Sequence, residues 1–379
     1  MRDIRDIKAA VVGTGFIGVV HVEALRRLGI EVTGIVGSTA ERAAEKAKSA
    51  GLPAPYPSFE AMLADPAVEV VHLTTPNRLH LEQARAALAA GKHVVCEKPL
   101  GMDSTETAEL LRLAEQSGLV HAVNFNIRFY AQCQEARRRV QAGEIGDVRL
   151  INGGYLQDWL LLDTDWNWRL DPAEGGSLRA VGDIGSHWLD LVQFITGRRV
   201  EAVMADLTTF IPVRKQPTGP VETFSTGGVG ETVDTQMETE DAAGILLRLT
   251  GGARAVLTVS QVSAGRKNRL SWEIDGSEAA LAWHSEAPEE LWIGHRERPN
   301  ERLLREAGDY PPGHAEGFPD TFKHLYRAVY RAVAEGGPPD DPDYPTFADG
   351  HDEALIADAI ERSHAEQRWV SVAPVPQEV

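Results

Sequence analysis

Three side chains stand out because their types and spacing suit acid–base chemistry. Asp183 and His187 are four residues apart and therefore share one face of a predicted helix. A carboxylate beside an imidazole can orient the ring and hold its proton, as a general base requires. Lys98 directly follows a predicted strand, where partial burial lowers a lysine pKa and makes the amine usable in proton transfer. The three residues together predict proton transfer to or from a small molecule.

A glycine-rich turn supplies a site for an anionic ligand. The sequence Gly13-Thr14-Gly15-Phe16-Ile17-Gly18 follows a predicted strand and opens a predicted helix. Such glycines permit a tight turn, close approach of a pyrophosphate and close packing of helix against strand. The free N–H groups of the helix N-terminus favour the anion. We therefore predict that a dinucleotide binds at Gly13, Gly15, Phe16, Ile17 and Gly18.

The end of the second predicted strand bears on which dinucleotide binds. An acidic residue about 20 residues after the glycines normally binds the adenosine ribose of NAD. This chain has Gly37-Ser38-Thr39 there, with Arg42 one turn further on. Ser38, Thr39 and Arg42 can contact either a ribose hydroxyl or a 2′-phosphate. NAD is the expected cofactor, and NADP stays open.

Two further strand ends carry polar residues on the same predicted edge. Thr74-Thr75-Pro76-Asn77 ends one strand, and Glu97-Lys98-Pro99 ends the next. Ligands of doubly wound sheets bind beyond the carboxyl ends of the strands. Thr75, Asn77 and His80 are thus expected to contact the cofactor or to cap the next helix. The Lys98-Pro99 bond is predicted to be cis, because it must turn the lysine into the cleft.

The first 125 residues alternate strand and helix, which predicts the parallel, doubly wound α/β sheet of a Rossmann domain. From residue 126 to 379 the pattern is α+β, with a large open and mostly antiparallel sheet. Gly251-Gly252 and Asp275-Gly276 are hairpin signals. Residues 214–231 are rich in Pro, Gly and Thr and are predicted to form a long loop. Residues 347–366 are expected to form a last amphipathic helix.

Aromatic and amide side chains in the second half suit a sugar ring. Tyr155, Gln157 and Trp159 alternate along a predicted strand and share one face. Trp166 and Arg169 follow in a loop. The polar clusters 265–268 and 313–317, the latter with His314, can close the pocket, or can be solvated loops. Flat rings stack on the C–H face of a sugar, and its hydroxyl groups need donors and acceptors.

Composition excludes several classes of protein. With 38 basic and 56 acidic residues, the net charge of −18 repels nucleic acid. The sequence shows no apolar run of membrane length and no apolar signal core, so we expect a cytoplasmic protein. Two cysteines are too few for a disulfide framework, and no ligand spacing indicates a metal.

The chain resembles the glucose–fructose oxidoreductase, inositol dehydrogenase and rhizopine-catabolism (Gfo/Idh/MocA) family over essentially its whole length. The resemblance is carried by the segments GTGFIG (13–18), TTPNRLH (74–80), EKP (97–99), DIGSH (183–187) and FADG…RWVSV (347–372). EKP together with D-x-x-x-H is specific to this family. The departure is Gly37 at the usual acidic position.

The resemblance implies roles for individual residues. Lys98 is implied as the catalytic lysine on the reacting hydroxyl, and His187 as the general base or proton relay. Asp183 would position His187 or the sugar. Glu97, Asn126 and Arg128 are implied near the nicotinamide. Members of the family are commonly dimers or tetramers joined through the C-terminal sheet, so a homodimer or homotetramer is expected.

The leading hypothesis is an NAD(P)-dependent dehydrogenase of a sugar, glycoside, anhydrosugar or cyclic polyol. The second half most resembles the branch with levoglucosan-type and glycoside 3-dehydrogenases. One alternative is an NAD-dependent glycosidase that transiently oxidises a glycoside, eliminates its aglycone and then reduces the sugar again. The positive charges of Arg266 and Lys267 are compatible with an anionic sugar. A third hypothesis, a non-catalytic sugar sensor, is disfavoured because both Lys98 and His187 are present.

Overall fold

The computed structural model describes residues 2–219, 230–306 and 308–372. The helices are α1 (Phe16–Arg27), α2 (Ala40–Ser49), α3 (Phe59–Leu63), α4 (His80–Ala89), α5 (Ser104–Ser117), α6 (Ala131–Gln141), α7 (Pro172–Gly175), α8 (Ser186–Thr196), α9 (Phe318–Glu335) and α10 (Phe347–Glu366). The strands are β1 (Lys8–Val12), β2 (Glu31–Val36), β3 (Val70–Leu73), β4 (His93–Cys96), β5 (His121–Val123), β6 (Val148–Leu156), β7 (Val200–Thr208), β8 (Val213–Pro217), β9 (Thr232–Gln236), β10 (Ala242–Leu249), β11 (Arg254–Ser260), β12 (Arg269–Gly276), β13 (Ala279–His284), β14 (Glu290–His295), β15 (Glu301–Leu304) and β16 (Val370–Ser371).

The described residues divide into two compact units. The first contains residues 2–126 together with 318–354, and the second contains residues 127–317 together with 355–372. The change at residue 126 lies beside the boundary expected from the sequence. The structure differs from that expectation in one respect, because α9 and the start of α10 belong to the first unit. Sequence analysis assigned everything after residue 125 to the second domain.

The first unit is built on a parallel sheet of order β2-β1-β3-β4-β5, as the alternating pattern predicted. Every residue of β3 is buried, since helices cover both faces of such a sheet. Asp103, with Glu106 three residues later, has the spacing of a capping box, and its carboxylate caps α5 by accepting from the backbone N–H groups of Thr105 and Glu106. The strand ends that carry the candidate residues therefore lie on one edge.

Helix α9 was not predicted from the sequence, although its pattern is clear. Its buried residues recur at the spacing of an amphipathic helix; they include Phe322, Leu325, Tyr326, Val329 and Tyr330. The start of α10 is joined to β5, because the Phe347 N–H donates to His121 Nδ1 at 3.2 Å. A long C-terminal segment thus completes the core of the first unit.

The second unit contains a nine-stranded sheet of order β15-β14-β13-β12-β6-β11-β10-β7-β16. Its neighbours pair antiparallel except β6 and β11, which are parallel. Both predicted hairpins are confirmed, one joining β10 to β11 and the other joining β12 to β13. Strand β10 alternates buried and exposed residues, which is typical of a sheet with one covered face.

The predicted long loop at 214–231 is wrong in its first part. Val213–Pro217 is a strand that pairs with Thr232–Gln236, while residues 220–229 lie outside the described part of the chain. The fully buried Arg214 explains why these residues form a strand and not a loop. Its guanidinium donates to the Leu160 and Leu162 carbonyls and to Asp241. Composition alone could not indicate these distant acceptors.

Within the described residues, no helix combines the length and the apolar character needed to cross a membrane.

The buried ring of His121 generates a prediction on pH dependence. Burial lowers its pKa to about 4, whereas an unfolded histidine titrates near 6.5. The unfolded chain therefore binds a proton first, so this contribution to stability is present above pH 6.5 and is lost as pH falls toward 4. We expect His121→Asn, which keeps an acceptor for the Phe347 N–H, to flatten the pH dependence of unfolding free energy by up to about 1.4 kcal/mol per pH unit. Urea unfolding across this window measures it, and parallel curves for the two proteins would contradict it.

Candidate functional site

The glycine-rich turn of the first unit joins the ends of three strands. The Gly13 N–H donates to the Val36 carbonyl, and the Thr74 N–H donates to the Val12 carbonyl. Gly13 has a φ of +121°, and a Cβ there would lie 2.4 Å from Thr74 Oγ1. A Cβ on Gly18 would lie 2.4 Å from the Gly13 carbonyl oxygen. These two glycines are required by packing within the domain.

Gly15 differs from the other two glycines, because a Cβ there would meet nothing within 4 Å. Gly15 is the N-cap residue of α1 and has no side chain to cap the helix. The space beside Gly15 at the start of α1 is therefore open, next to the half-exposed Phe16. This is the geometry that admits a pyrophosphate at a helix N-terminus. The residues present fit a dinucleotide.

The end of β2 explains why no acidic residue follows it. A Cβ on Gly37 would lie 2.8 Å from the Ala43 backbone nitrogen and 3.0 Å from Thr14 Cγ2. Any larger residue would have to displace the start of α2. Thr39 caps α2 by accepting from the Arg42 N–H, and Arg42 Nη1 donates to Ser38 Oγ at 3.3 Å. The three predicted ribose contacts are thus neighbours on one turn.

The turns after β3 and β4 are tied together by His80. Its Nδ1 lies 2.8 Å from the Pro99 carbonyl oxygen, and its Nε2 lies 3.0 Å from the Thr75 carbonyl oxygen. Burial lowers the pKa of this fully buried ring, and the two carbonyl contacts oppose that shift. The Lys98-Pro99 bond in the second turn is cis, as predicted. His80 therefore acts on the site through the backbone of both turns.

Two more of the predicted cofactor residues in this unit are held by neighbouring side chains. The Thr75 hydroxyl donates to Gln83 Oε1 at 2.6 Å. Asn126 is buried, and its amide donates to Thr321 Oγ1 at 2.7 Å in the first turn of α9. Asn77 is buried and opens the short helix before α4. The structure thus gives these residues a local structural role beside any contact with a cofactor.

Glu97 is the buried carboxylate at this edge of the sheet. Its Oε1 accepts from His21 Nε2 at 3.0 Å and from the Asn124 amide, and its Oε2 accepts from the Lys98 N–H. Burial pushes the pKa of Glu97 upward, but the hydrogen bonds from His21 and Asn124 and the charge of Lys98 oppose that shift, and the pKa is lowered. Glu97 is therefore an anion in the folded protein. Sequence analysis identified Glu97 but had no signal for His21.

In the second unit, the predicted Asp183–His187 segment begins with a π-helical turn at Val181–Gly185, which continues into α8. The Asp183 carboxylate accepts from Arg169 Nε at 3.1 Å and from Gln261 Nε2 at 2.8 Å. Arg169 in turn stacks on Trp168, with its guanidinium carbon 4.4 Å from the ring centroid. Single-turn π segments are frequent at functional sites.

Strand β6 and α8 place further predicted residues together. The rings of Tyr155 and His187 lie 6.3 Å apart, measured between centroids. Asn268 Oδ1 accepts from the Tyr155 hydroxyl at 2.7 Å and from Gln157 Nε2 at 2.8 Å. Gln157 Oε1 accepts from the Trp159 indole N–H at 2.8 Å. Asn268 joins the two predicted strand residues and had been identified only as part of a polar loop.

Burial raises the pKa of Tyr155, and the nearby charge of Asp183 raises it further. Tyr155 therefore keeps its proton near neutral pH and donates to Asn268. A phenol held in this way can orient a hydroxyl group, but it is poorly suited to accept a proton.

The remaining predicted residues of this unit lie elsewhere or serve another partner. Arg128 forms a buried, two-pronged ion pair with Asp190 of α8, with Nε 2.8 Å from Oδ2. His314 is exposed, and its described contacts are with Pro311 and Arg305, beyond β15. Three strands separate β15 from β6 in the sheet. Trp166 is half-buried in the loop before α7. The structure thus groups Tyr155, Gln157, Arg169, Asp183 and His187 and leaves His314 apart from them.

Comparison with known proteins agrees with both units. Residues 7–125 match the model "Oxidoreductase family, NAD-binding Rossmann fold", and residues 133–282 match "GFO/IDH/MocA C-terminal domain". A solved oxidoreductase domain protein from Kribbella flavida is 31% identical, with a TM-score of 0.88 over 97% of this chain and 99% of that one. The chain belongs to the Gfo/Idh/MocA family. It is an oxidoreductase whose first unit is an NAD-binding Rossmann domain.

Several similar proteins are named as oxidoreductases of anhydrosugars. Levoglucosan dehydrogenase from Pseudarthrobacter phenanthrenivorans is 29% identical over 98% of this chain and 100% of that protein. The solved complex of a levoglucosan dehydrogenase with NADH and levoglucosan has a TM-score of 0.87 at 29% identity, covering 97% of this chain and 100% of that one. The 1,5-anhydro-D-fructose reductase of Ensifer adhaerens is 34% identical over 46% of this chain and 51% of that protein.

The position of α8 on the sheet depends on Gly153 of β6, which generates a prediction. A Cβ on Gly153 would lie 2.1 Å from the Ser271 carbonyl oxygen and 2.9 Å from Trp188 Nε1, which donates to that oxygen. We expect Gly153→Ala to lower the free energy of unfolding by about 1–3 kcal/mol, because the tightly packed helix must shift. Chemical unfolding measures the loss, and near-UV circular dichroism reports the displaced Trp188.

Gly244 of β10 provides the matched control, since a Cβ there would meet nothing within 4 Å. Gly244→Ala is expected to change the free energy by no more than about 0.5–1 kcal/mol. Equal effects of the two substitutions would show that the contact with Trp188 is not the cause.

Proposed function

We propose that this protein is an NAD-dependent dehydrogenase that oxidises a carbinol of a sugar, anhydrosugar or cyclic polyol. The observation that carries the proposal is the similarity to levoglucosan dehydrogenase over the whole of both chains. It is supported by the polar group around Asn268, in which Tyr155 and Gln157 are already fixed by hydrogen bonds. Fixed donors and acceptors beside aromatic rings suit a polyhydroxylated ring.

In this proposal Lys98 and His187 handle the hydroxyl proton of the substrate. The bound nicotinamide supplies the hydride acceptor. A carbinol carbon loses hydride only as its hydroxyl proton is removed, so a positioned base is needed. Lys98 would bond the reacting hydroxyl, and His187 would pass the proton to solvent. Asp183 would help to position the substrate through Arg169 and Gln261, which both donate to its carboxylate in the structure.

A screen of free sugars and cyclitols, with levoglucosan first, tests the function directly. With NAD, a substrate should give net NADH, followed at 340 nm, and Lys98→Ala should abolish the signal. Release of a chromophore from aryl glycosides at constant NADH would instead identify a redox-neutral glycosidase and overturn the proposal. Binding of a sugar with neither NADH formation nor aglycone release would indicate a non-catalytic sugar sensor.

The two proton-handling residues should behave as one unit. Lys98→Ala and His187→Ala are each expected to lower kcat by roughly 10²–10⁴ while dinucleotide affinity changes little. The double variant should be scarcely worse than the worse single variant, because both residues serve one step. Steady-state kinetics and fluorescence titration of the dinucleotide measure these effects. Lys48→Ala, which removes an exposed lysine of α2, is the control. Near-normal kcat in His187→Ala would place the base elsewhere.

Cofactor preference should be modest, because Gly37 leaves no carboxylate to repel a 2′-phosphate. We expect NAD to bind better than NADP, by less than about 100-fold, which corresponds to about 2.7 kcal/mol. Arg42→Ala should weaken NADP more than NAD, whereas Lys48→Ala in the last turn of the same helix should affect neither. Titration of both dinucleotides decides it. A preference of 100-fold for NADP would contradict the expectation and assign the phosphate to Ser38, Thr39 or Arg42.

A further inference from the structure

A line of buried hydrogen bonds leads from Glu97 through the core of the first unit to α9. His21 Nε2 contacts Glu97 at 3.0 Å, and His21 Nδ1 lies 3.0 Å from His72 Nδ1. His72 Nε2 lies 3.0 Å from the Tyr330 hydroxyl. His21, His72 and Tyr330 are fully buried. We call these three residues the histidine chain. It joins α1, β3 and α9 to the carboxylate at the end of β4.

With Glu97 ionised, only one arrangement of protons satisfies every contact of the histidine chain and also gives the Tyr330 hydroxyl proton an acceptor among the described residues. Glu97 accepts from His21 Nε2, so His21 Nδ1, in a neutral ring, must accept from His72 Nδ1. His72 Nε2 is then the acceptor for the Tyr330 hydroxyl. If His21 carried two protons, His72 would have to donate to Tyr330, whose own proton would lack an acceptor among the described residues. Burial lowers the pKa of His72, which agrees with a neutral ring.

The surroundings of the histidine chain are apolar or aromatic. The Tyr326 ring centroid lies 5.1 Å from that of His21 and 4.8 Å from that of His72. The Phe322 centroid lies 6.0 Å from that of His21. An unpaired polar group in such surroundings costs about 1–3 kcal/mol. The chain can therefore keep its proton arrangement only while every member has its partner.

We propose that the histidine chain consists of positioning residues that keep Glu97 ionised and fixed, so that its charge favours the oxidised, cationic nicotinamide over the reduced form. The inference rests on the proposed function, which puts the reacting hydroxyl on Lys98, next to Glu97, and therefore puts the nicotinamide that takes the hydride nearby. The chain acts through proton placement. If His72 moved its proton to Nε2, His21 would have to protonate Nδ1, and its bare Nε2 would face the Glu97 carboxylate. A proton taken up from solvent would then lie between Glu97 Oε1 and His21 Nε2, and the pair would lose its net negative charge.

The first test needs no cofactor and uses the full-length protein labelled with ¹⁵N-histidine. Long-range ¹H–¹⁵N correlation spectra report which ring nitrogen carries the proton. We expect His72 as the Nδ1–H form and His21 as the Nε2–H form, with assignments from single His→Gln substitutions. An Nε2–H form of His72 in the native protein would overturn the inference.

The second test compares variants of two tyrosines on the same helix. Tyr330→Phe removes the donor to His72, while Tyr326→Phe removes a buried hydroxyl that has no hydrogen-bond partner among the described residues. We expect Tyr330→Phe to increase the Nε2–H form of His72 and Tyr326→Phe to leave the spectrum unchanged. Equal spectra for Tyr330→Phe and the native protein would overturn the inference.

The third test measures the ratio of the dissociation constants of NADH and NAD⁺ by isothermal titration. Glu97→Gln should lower this ratio about tenfold, since one nearby charge is lost. Tyr330→Phe should lower it on the order of threefold, and Tyr326→Phe should not change it. A ratio that is unchanged in Glu97→Gln overturns the inference while the function stands. If the native protein binds neither dinucleotide, the proposed function itself fails, and the spectra still decide the proton arrangement.

Discussion

The need to satisfy one buried carboxylate organises the first unit. Glu97 lies at the end of β4 with its side chain almost out of solvent. An ionised carboxylate in that position costs several kcal/mol unless donors surround it. The donors come from His21 in α1, from Asn124 after β5 and from the Lys98 backbone. The helix that follows the glycine-rich turn and the strand ends of the sheet are thereby fixed to one another, and a dinucleotide needs both.

The same requirement explains why a C-terminal helix belongs to an N-terminal domain. His21 contacts Glu97 with one ring nitrogen and His72 with the other, and His72 in turn contacts the Tyr330 hydroxyl. Tyr330 comes from α9, more than two hundred residues after β5 in the chain. Asn126 is likewise held by Thr321 in the first turn of α9. Without α9 the polar groups under this edge of the sheet would lack partners, so the Rossmann unit is complete only with that helix.

Much of the fold could be predicted from local sequence. The alternation of strand and helix over the first 125 residues predicted the parallel sheet, which the structure confirms. The buried residues of α9 recur with a clear helical period, so α9 itself could have been predicted. Nothing in the local sequence, however, indicates which domain it joins. Strand β8 was hidden by its Pro-rich surroundings, because Arg214 orders it through carbonyls about fifty residues away. Contacts of that kind leave no periodic pattern.

The candidate residues show the same limit. Their positions could be predicted, whereas their partners could not. Spacing made Asp183 and His187 candidates for a dyad, whereas the π-helical turn at Val181–Gly185 and the donors Arg169 and Gln261 to Asp183 could not be read from it. A partner for a polar side chain is set by tertiary packing, which a four-residue spacing cannot encode.

The two units also differ in how rigidly they hold their polar groups, and that difference has a chemical consequence. Glu97, His21 and His72 are buried among apolar and aromatic side chains, so a change in any one leaves another unsatisfied. Gln157, Asn268 and Arg169 are only half-buried; Gln157 donates to Asn268, and Arg169 donates to Asp183. Because solvent can replace a lost partner there, these groups can be exchanged at a lower cost in free energy than the buried ones. A dinucleotide-binding unit with fixed polar groups and a second unit with exchangeable ones suit a family whose members share a Rossmann domain and are named for different substrates.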